Sequence, residues 1–207
     1  YMGGGTPTTL SAAQMERVLF HLEQNFHMEY LQEYTVEAGR PDSITREKLE
    51  VLYKHHVGRI SINPQTMQQK TLDLIGRRHT VEETVQAFQL AREIGFDNIN
   101  MDLIAGLPVE TPADMADTLR QIEELMPDSL TVHALAMKHG SRLSRERAEA
   151  GERPNYKQMA VELEEMIHMA ADSARKMGLL PYYLYRQKNI AGNFENVGYA
   201  KVDKAGI

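Results

Sequence analysis

Cysteine is absent from the 207 residues of this sequence, so the chain has no disulfide framework and nothing in its composition points to secretion. The same absence excludes a thiolate nucleophile and a cysteine-ligated metal within these residues. Long apolar runs are also absent, and none of the short ones approaches the length that spans a bilayer. A net charge of −6 argues against a general nucleic-acid-binding surface. We therefore expect a cytoplasmic protein with no membrane span and no nucleic-acid partner.

The residues that are present are typical of a globular protein. Hydrophobic residues make up 42% of the chain and charged residues 25%, which separates it from disordered sequences. The length is sufficient for one large domain, or part of one, with a substantial core. The sequence begins at Tyr1, without an initiator methionine and within a strand-like segment, and ends at Ile207 without a closing element. We expect it to be a piece of a longer protein.

Strand-like and helix-like segments alternate along the chain. Strand patterns occur at residues 1–2, 33–39, 59–64, 98–104, 129–137 and 180–186, and the segment after residue 187 has only a weak pattern. Helices are predicted between the strands, including a short one at 65–75, and two of them begin with the capping-box pairs Ser11/Gln14 and Thr80/Glu83. This alternation indicates a parallel sheet built from βαβ units.

Polar residues occur at or near the C-terminal ends of four predicted strands, namely Glu37, Asn63, Asp102 and His133. Active-site side chains of β/α barrels collect on that rim, whereas an open doubly wound sheet gathers them at one switch point. We therefore expect an α/β fold, a partial TIM-like (β/α) barrel with about five parallel strands. The open sheet remains the alternative.

A glycine-rich bend follows the first strand-like segment, with the sequence YMGGGTPT at 1–8. Three consecutive glycines let the backbone turn tightly and leave no side chain to keep a ligand away. The functional interpretation is a pocket of backbone N–H and C=O groups, and the simpler one is a tight turn between a strand and a helix. A P-loop is not indicated, because no Lys-Ser or Lys-Thr pair follows the glycines.

Two carboxylates, Glu37 and Asp102, lie within otherwise apolar strands. Because an unpaired buried carboxylate is costly, each belongs either to an internal ion pair or to a ligand site. Glu37 could pair with Arg40 or Arg59, or accept from a ligand ammonium or ribose. Asp102 could orient a neighbouring arginine or accept from ribose hydroxyls. Arg77 follows a glycine in a loop, where it is either solvated or suited to a ligand carboxylate.

Six short motifs then occur in order along the chain. They are GGGTP at 3–7, YTVEA at 34–38, RISINPQ at 59–65, LIGRRH at 74–79, GF at 95–96 and NMDLIAGLP at 100–108. The series resembles radical S-adenosylmethionine enzymes of the oxygen-independent coproporphyrinogen III oxidase group, over nearly the whole chain. This resemblance implies a partial radical SAM barrel at 1–180 and the start of a C-terminal, substrate-covering region at 181–207.

The resemblance also implies a set of contacts to S-adenosylmethionine. Gly4, Gly5 and Thr6 would meet its methionyl amine through the backbone, and Ala136 would line the adenine in the same way. Four side chains are implied to contact the rest of the cofactor, with Gln65 and Arg77 at its ribose and carboxylate region: Glu37, Gln65, Arg77 and Asp102. The resemblance assigns no catalytic residue.

The chemistry implied by the resemblance needs more than this chain contains. In the group, a [4Fe–4S] cluster on a CxxxCxxC loop cleaves S-adenosylmethionine to a 5′-deoxyadenosyl radical. The radical takes a hydrogen from a propionate of coproporphyrinogen III, and loss of CO₂ and one electron leaves a vinyl group, giving protoporphyrinogen IX. Expected partners are thus the porphyrinogen substrate and an electron donor. The cluster loop would lie upstream of Tyr1, and these residues alone are expected to be inactive.

Two alternatives remain open at this stage. One is a haem chaperone of the same family, which keeps the cofactor motifs but passes haem to acceptors. The other is a β/α barrel without radical chemistry, in which the glycine bend is only a turn. This second alternative predicts that Glu37 and Asp102 make internal ion pairs.

Overall fold

The computed structural model describes residues 1–135, 155–186 and 195–206. Its six strands are β1 (Thr35–Gly39), β2 (Arg59–Gln65), β3 (Ile99–Ala105), β4 (Ser129–Ala134), β5 (Leu180–Arg186) and β6 (Glu195–Ala200). They form one sheet in the order β1-β2-β3-β4-β6-β5. Strands β1 to β4 pair in parallel. Met2 adds an isolated parallel bridge to Val36, so the chain enters beside β1.

Helices connect the parallel strands. The described α-helices are α1 (Ala12–Asn25), α2 (Arg46–Lys54), α3 (Gln69–Leu74), α4 (Val81–Ile94), α5 (Pro112–Leu125) and α6 (Tyr156–Lys176). Both predicted capping boxes are present at α1 and α4, and each satisfies backbone N–H groups that the first helical turn leaves free. Among the described helices, none combines the length and apolar character needed to cross a membrane.

The predicted fold class is confirmed, since the sheet is mostly parallel and strands alternate with helices. Two details of the sequence prediction are wrong. The weakly patterned tail contains β6, which inserts antiparallel between β4 and β5. Gln65 does not begin a helix but ends β2, and α3 starts four residues later. The loop predicted around residues 138–154 lies outside the described residues, and the division of the chain at residue 180 stays a prediction.

The two faces of the sheet differ in chemistry because successive side chains of a strand point to opposite sides. One face is apolar and packs against the helices, with fully buried side chains such as Val36, Ile60, Met101 and Leu130. The other face, called the polar face below, carries hydrophilic side chains from four strands: Glu37, Ser61, Asn63, Asn100, Asp102, Thr131 and His133. The core therefore lies between the sheet and the helices, whereas Glu37, Asp102 and His133 on the polar face are only partly buried.

Candidate functional site

The glycine-rich bend lies at the C-terminal end of β1. Met2 pairs with the strand through two backbone hydrogen bonds, to Thr35 O at 2.8 Å and from Glu37 N at 2.9 Å. Gly4 then adopts φ +87°, a conformation that glycine reaches without steric cost. A Cβ at Gly4 or Gly5 would meet no atom within 4 Å. These two glycines thus leave open space on the rim.

A buried threonine fixes this bend to the neighbouring loop. The Thr8 hydroxyl donates to Ala38 O and lies 2.6 Å from Ser43 Oγ. Lys48 Nζ donates to the backbone oxygens of Thr8, at 2.5 Å, and Ser43, at 2.9 Å. Gly39, with φ +74°, has no room for a side chain, because a Cβ would lie 2.8 Å from Thr6 Cγ2. The bend and the end of β1 therefore hold a fixed geometry.

Glu37 points to the polar face beside the glycines. Its carboxylate accepts a hydrogen bond from the Tyr1 hydroxyl, and a Cβ at Gly3 would come within 2.9 Å of it. The arginines proposed as partners are engaged elsewhere. Arg40 pairs with Asp42 at 3.2 Å, while Arg59 Nη2 donates to two hydroxyls at 3.3 and 3.4 Å. In residues 1–135 and the other described ranges, no ion pair involves Glu37.

Strand β2 ends in an irregular segment that carries Gln65. The pairing register with β3 shifts between Ile62 and Gln65, and Gln65 adopts φ +72°. Left-handed conformations are unfavourable for a residue with a side chain, so packing must hold it there. Gln65 is buried, with 9% of its surface exposed. The residue predicted to contact the cofactor thus lies at the C-terminal end of β2.

Asp102 belongs to a hydrogen-bond chain that crosses three strands. Asn100 Nδ2 donates to Asp102 Oδ1 at 2.6 Å and to Ser61 Oγ at 2.8 Å, and Ser61 in turn donates to Asn63 Oδ1 at 2.8 Å. Thr131 Oγ1 donates to Asn100 Oδ1 at 3.1 Å. The chain orients the Asp102 carboxylate with amide and hydroxyl groups, without an ion pair to any described arginine.

Burial raises the pKa of Asp102 above its usual value, and the nearby His133 and the hydrogen bond from Asn100 oppose that shift. The ionised carboxylate is therefore incompletely compensated in the folded chain. A ligand that donates hydrogen bonds to it would supply what the protein does not. Ribose hydroxyls are donors of this kind.

The loop after β3 is tied to the loop after β2 by a second buried carboxylate. Thr66 Oγ1 donates to Glu110 Oε1 at 2.6 Å, and Thr118 Oγ1 lies 3.3 Å from Thr66 Oγ1. Burial raises the pKa of Glu110, against the hydrogen bond from Thr66. This contact joins the segments that follow Gln65 and Asp102.

Arg77 lies in the loop between α3 and α4, directly after Gly76, which has φ +72°. Its backbone N–H donates to Leu72 O at 2.9 Å, and its side chain is half-buried. No ion pair with a described residue holds its guanidinium. Ala136, the remaining predicted contact, lies outside the described residues.

The structure thus brings most of the predicted residues to one edge of the sheet. Gly4, Gly5 and Glu37 lie at the end of β1, while Gln65 and Asp102 lie on the next two strands. Glu37 is level with Asn100 in the strand register, two residues before Asp102. With about 4.8 Å between neighbouring strands and about 3.3 Å per residue, Glu37 and Asp102 are roughly 12 Å apart, which is a span suited to a nucleoside with a short side chain.

Sequence reasoning missed the polar residues that support Asp102, namely Ser61, Asn100 and Thr131. A signal was available. Each of these three lies two positions before a polar residue that the sequence had identified, at the same-face spacing of a strand. Repetition of this spacing in three strands in succession marks a polar face.

The residues present fit S-adenosylmethionine but not an iron–sulfur cluster. Open space over two glycines and a carboxylate without an ion pair suit an amino-acid ammonium, and Asp102 suits a ribose. The cluster requires thiolates, and the chain has no cysteine. In the described ranges, no group of three or more His, Asp or Glu side chains is placed to hold a metal ion.

Comparison with known proteins gives consistent relatives. Residues 1–122 match the family described as the Radical SAM superfamily. The oxygen-independent coproporphyrinogen-III oxidase-like protein HemZ of Bacillus subtilis (strain 168) is 47% identical over 204 residues, which are 97% of this chain and 39% of HemZ. The heme chaperone HemW of Lactococcus lactis subsp. lactis (strain IL1403) is 36% identical over 137 residues, which are 66% of this chain and 36% of HemW.

Among solved structures, the coproporphyrinogen III oxidase HemN from Escherichia coli superposes with a TM-score of 0.74 at 26% identity, over 96% of this chain and 42% of that one. The chain spans well under half the length of each of these relatives. The likeness therefore covers a core that the longer proteins share.

Proposed function

Because the chain belongs to the radical SAM superfamily, we propose that the edge formed by the glycine bend, Glu37, Gln65 and Asp102 binds S-adenosylmethionine. We further propose that the protein decarboxylates propionate groups of coproporphyrinogen III oxidatively to vinyl groups, without oxygen, in haem biosynthesis. The observation that carries the proposal is the pair Glu37 and Asp102, which share the polar face and make no ion pair with any described residue. Internal ion pairs were the prediction of the non-radical alternative.

Each residue has a role that its chemistry allows. The backbone carbonyls of Gly4, Gly5 and Thr6 and the carboxylate of Glu37 would accept hydrogen bonds from the methionyl ammonium. Asp102, held by Asn100, would accept hydrogen bonds from the ribose hydroxyls. Because the carboxylate is ionised, these hydrogen bonds would be stronger than those between neutral groups. Gln65 would contact the ribose from the neighbouring strand, and Arg77 would reach the carboxylate region from its loop. Ala136 would line the adenine.

The difficult chemistry belongs to the cofactor. S-adenosylmethionine, when bound with a reduced [4Fe–4S] cluster, supplies the radical that takes a hydrogen atom from the substrate. The cluster cannot be held by the residues of this chain, which contain no thiolate. The part of these residues is to bind the nucleoside, fix its orientation and keep water from the polar face.

A second candidate function is haem transfer, as in the relatives that are named heme chaperones. The cofactor edge would be the same in both cases, so its geometry does not separate them. Preference for the oxidative decarboxylation rests on the higher identity with the oxidase-like relative, 47% against 36%.

The test is an anaerobic reaction of the full-length, cluster-reconstituted protein with S-adenosylmethionine, a reductant and coproporphyrinogen III. Chromatography would follow 5′-deoxyadenosine and the porphyrin product. Appearance of both supports the proposal. 5′-Deoxyadenosine without porphyrin turnover, together with tight haem binding, would favour the chaperone, and absence of both products would refute radical chemistry in this protein.

A further inference from the structure

The carbonyl of Pro64 lies in the irregular end of β2, where the pairing register with β3 shifts. Pro64 itself offers no N–H to the sheet, and the next residue, Gln65, is held at φ +72°. A buried backbone carbonyl requires a hydrogen-bond donor. The residue that donates to Pro64 O therefore stabilises the conformation of this end of β2.

His79 supplies that donor. Its Nε2 lies 3.2 Å from Pro64 O, and its ring is fully buried at 0% exposure. Burial lowers the pKa of His79, against the hydrogen bond to Pro64, so the ring is neutral near pH 7. Its one proton must be on Nε2, which leaves Nδ1 bare. This agrees with Nδ1 having no hydrogen-bond partner in the described part of the chain.

The same residue closes the loop that carries Arg77. His79 follows Arg77 by two positions and directly precedes Thr80, the N-cap of α4. The loop is held at its other end by the hydrogen bond from Arg77 N to Leu72 O. The imidazole therefore connects the two segments that carry Arg77 and Gln65.

We infer that His79 is a positioning residue for the nucleoside site: its Nε2–H, bound to Pro64 O, fixes Gln65 and Arg77 relative to each other. The inference rests on the proposed cofactor site, which it deepens. His79 itself touches no cofactor atom in this scheme, since its side chain is fully buried and its Nε2 is used by Pro64 O.

Two amide substitutions separate this role from general packing. In His79→Gln the amide nitrogen is three bonds from Cβ, as Nε2 is in histidine, so it reaches Pro64 O. In His79→Asn it is two bonds away, at the place of Nδ1, and does not. Both side chains are polar and smaller than the ring. Asn is one methylene shorter than Gln and leaves the larger cavity, so Tm is measured beside affinity to record the loss of packing.

The measurement is calorimetric binding of S-adenosylhomocysteine, which is not consumed, to the full-length reconstituted protein, with Tm recorded for each variant. We expect His79→Asn to bind about tenfold more weakly than the wild type, as for loss of one buried hydrogen bond, and His79→Gln to bind nearly as well as the wild type. The matched control is His55→Asn. His55 is also buried and binds Glu23 at 2.8 Å, but it precedes β2 at the opposite edge, so its substitution should leave affinity unchanged.

Equal binding by the wild type and both His79 variants would overturn the inference, as would equal loss in the Gln and Asn variants. Failure of the wild type to bind S-adenosylhomocysteine would refute the nucleoside site itself, and so is distinguishable from a failure that concerns His79 alone.

Discussion

Replacing Asp102 with asparagine should change stability and cofactor affinity in opposite directions. The carboxylate is half-buried on the polar face, and burial raises its pKa. A raised pKa in the folded state means that the ionised form lowers the free energy of unfolding at pH values above that pKa. Asp102→Asn removes the charge and should therefore raise Tm at pH 7. The difference from the wild type should vanish as the pH falls below about 4, where the unfolded carboxylate is protonated.

The loss of affinity follows from the hydrogen bonds of the same carboxylate. Oδ1 already accepts from Asn100 at 2.6 Å, so a ribose hydroxyl would donate to the other oxygen of the carboxylate, which the Thr131 hydroxyl also approaches. An asparagine keeps one oxygen acceptor and replaces the other with an NH₂ donor. That NH₂ group cannot accept a hydrogen bond, so either Asn100 or the ribose hydroxyl loses its acceptor. Loss of one charge-assisted hydrogen bond is about 1.5–3 kcal/mol, equivalent to about a 10–150-fold higher Kd for S-adenosylhomocysteine.

Asp128→Asn is the matched control. Asp128 is buried, and its pKa is lowered: burial acts to raise it, but hydrogen bonds from Arg92 and Lys201 outweigh that effect. The ion-pair distances are 2.6 and 2.7 Å. Stability from this group is present above a pH of about 4 and is lost as the pH falls through its depressed pKa. Both cations are partly exposed, so we expect a loss of about 2 kcal/mol, or roughly 4–8 °C in Tm, at pH 7.

Thermal unfolding from pH 3 to 8 and calorimetric titration at pH 7 measure both effects. The expected result is a higher Tm with weaker binding for Asp102→Asn, and a lower Tm with unchanged binding for Asp128→Asn. A lower Tm for Asp102→Asn at pH 7, or unchanged affinity, would show that the carboxylate serves the fold and not a ligand.

Three further predictions concern the bend and its surroundings. Gly39→Ala should lower the free energy of unfolding in urea by roughly 1–3 kcal/mol more than Gly178→Ala does. Both glycines have φ +74°, but only Gly39 faces an atom within 4 Å. Equal losses in the two variants would contradict this. Thr8→Val leaves the buried Ala38 carbonyl without its hydroxyl donor and should lower the free energy of unfolding by about 1–3 kcal/mol. An unchanged denaturation midpoint would show that the Thr8 hydroxyl does not stabilise the bend. Glu37→Gln should raise the Kd for S-adenosylhomocysteine about 10–150-fold with little change in Tm, and wild-type affinity would remove Glu37 from the site.

Features set by neighbouring residues could be predicted from the sequence. The capping boxes at Ser11 and Thr80 depend on side chains three positions apart, and both are confirmed. The fold class could be predicted as well, because strands and helices are recognised from the periodicity of neighbouring residues and their alternation indicates a parallel sheet. Strand β6 could not be predicted in this way, since its pattern is weak and it is a strand because β4 and β5 pair with it. Gly198 in that strand leaves room for the Tyr182 ring, which would lie 3.1 Å from a Cβ.

In the candidate site, too, some residues could be predicted from their neighbours in the sequence, and others depend on tertiary packing. Glu37 and Asp102 stood out because carboxylates are unusual in apolar strands, and the structure places them at one edge. The conformation of Gln65 could not be predicted, because its left-handed φ depends on packing and on His79, fourteen positions away in the sequence. The network around Asn100 depends on the register of three strands, which no short motif encodes. Contacts of these residues with a cofactor remain predictions.

A crystal structure of the full-length, reconstituted protein with S-adenosylmethionine tests the central claim most directly. The account predicts the methionyl ammonium against the carbonyls after Gly3 and the Glu37 carboxylate, and the ribose hydroxyls about 3 Å from Asp102. A nucleoside bound elsewhere, with Glu37 and Asp102 facing only protein or water, would contradict it.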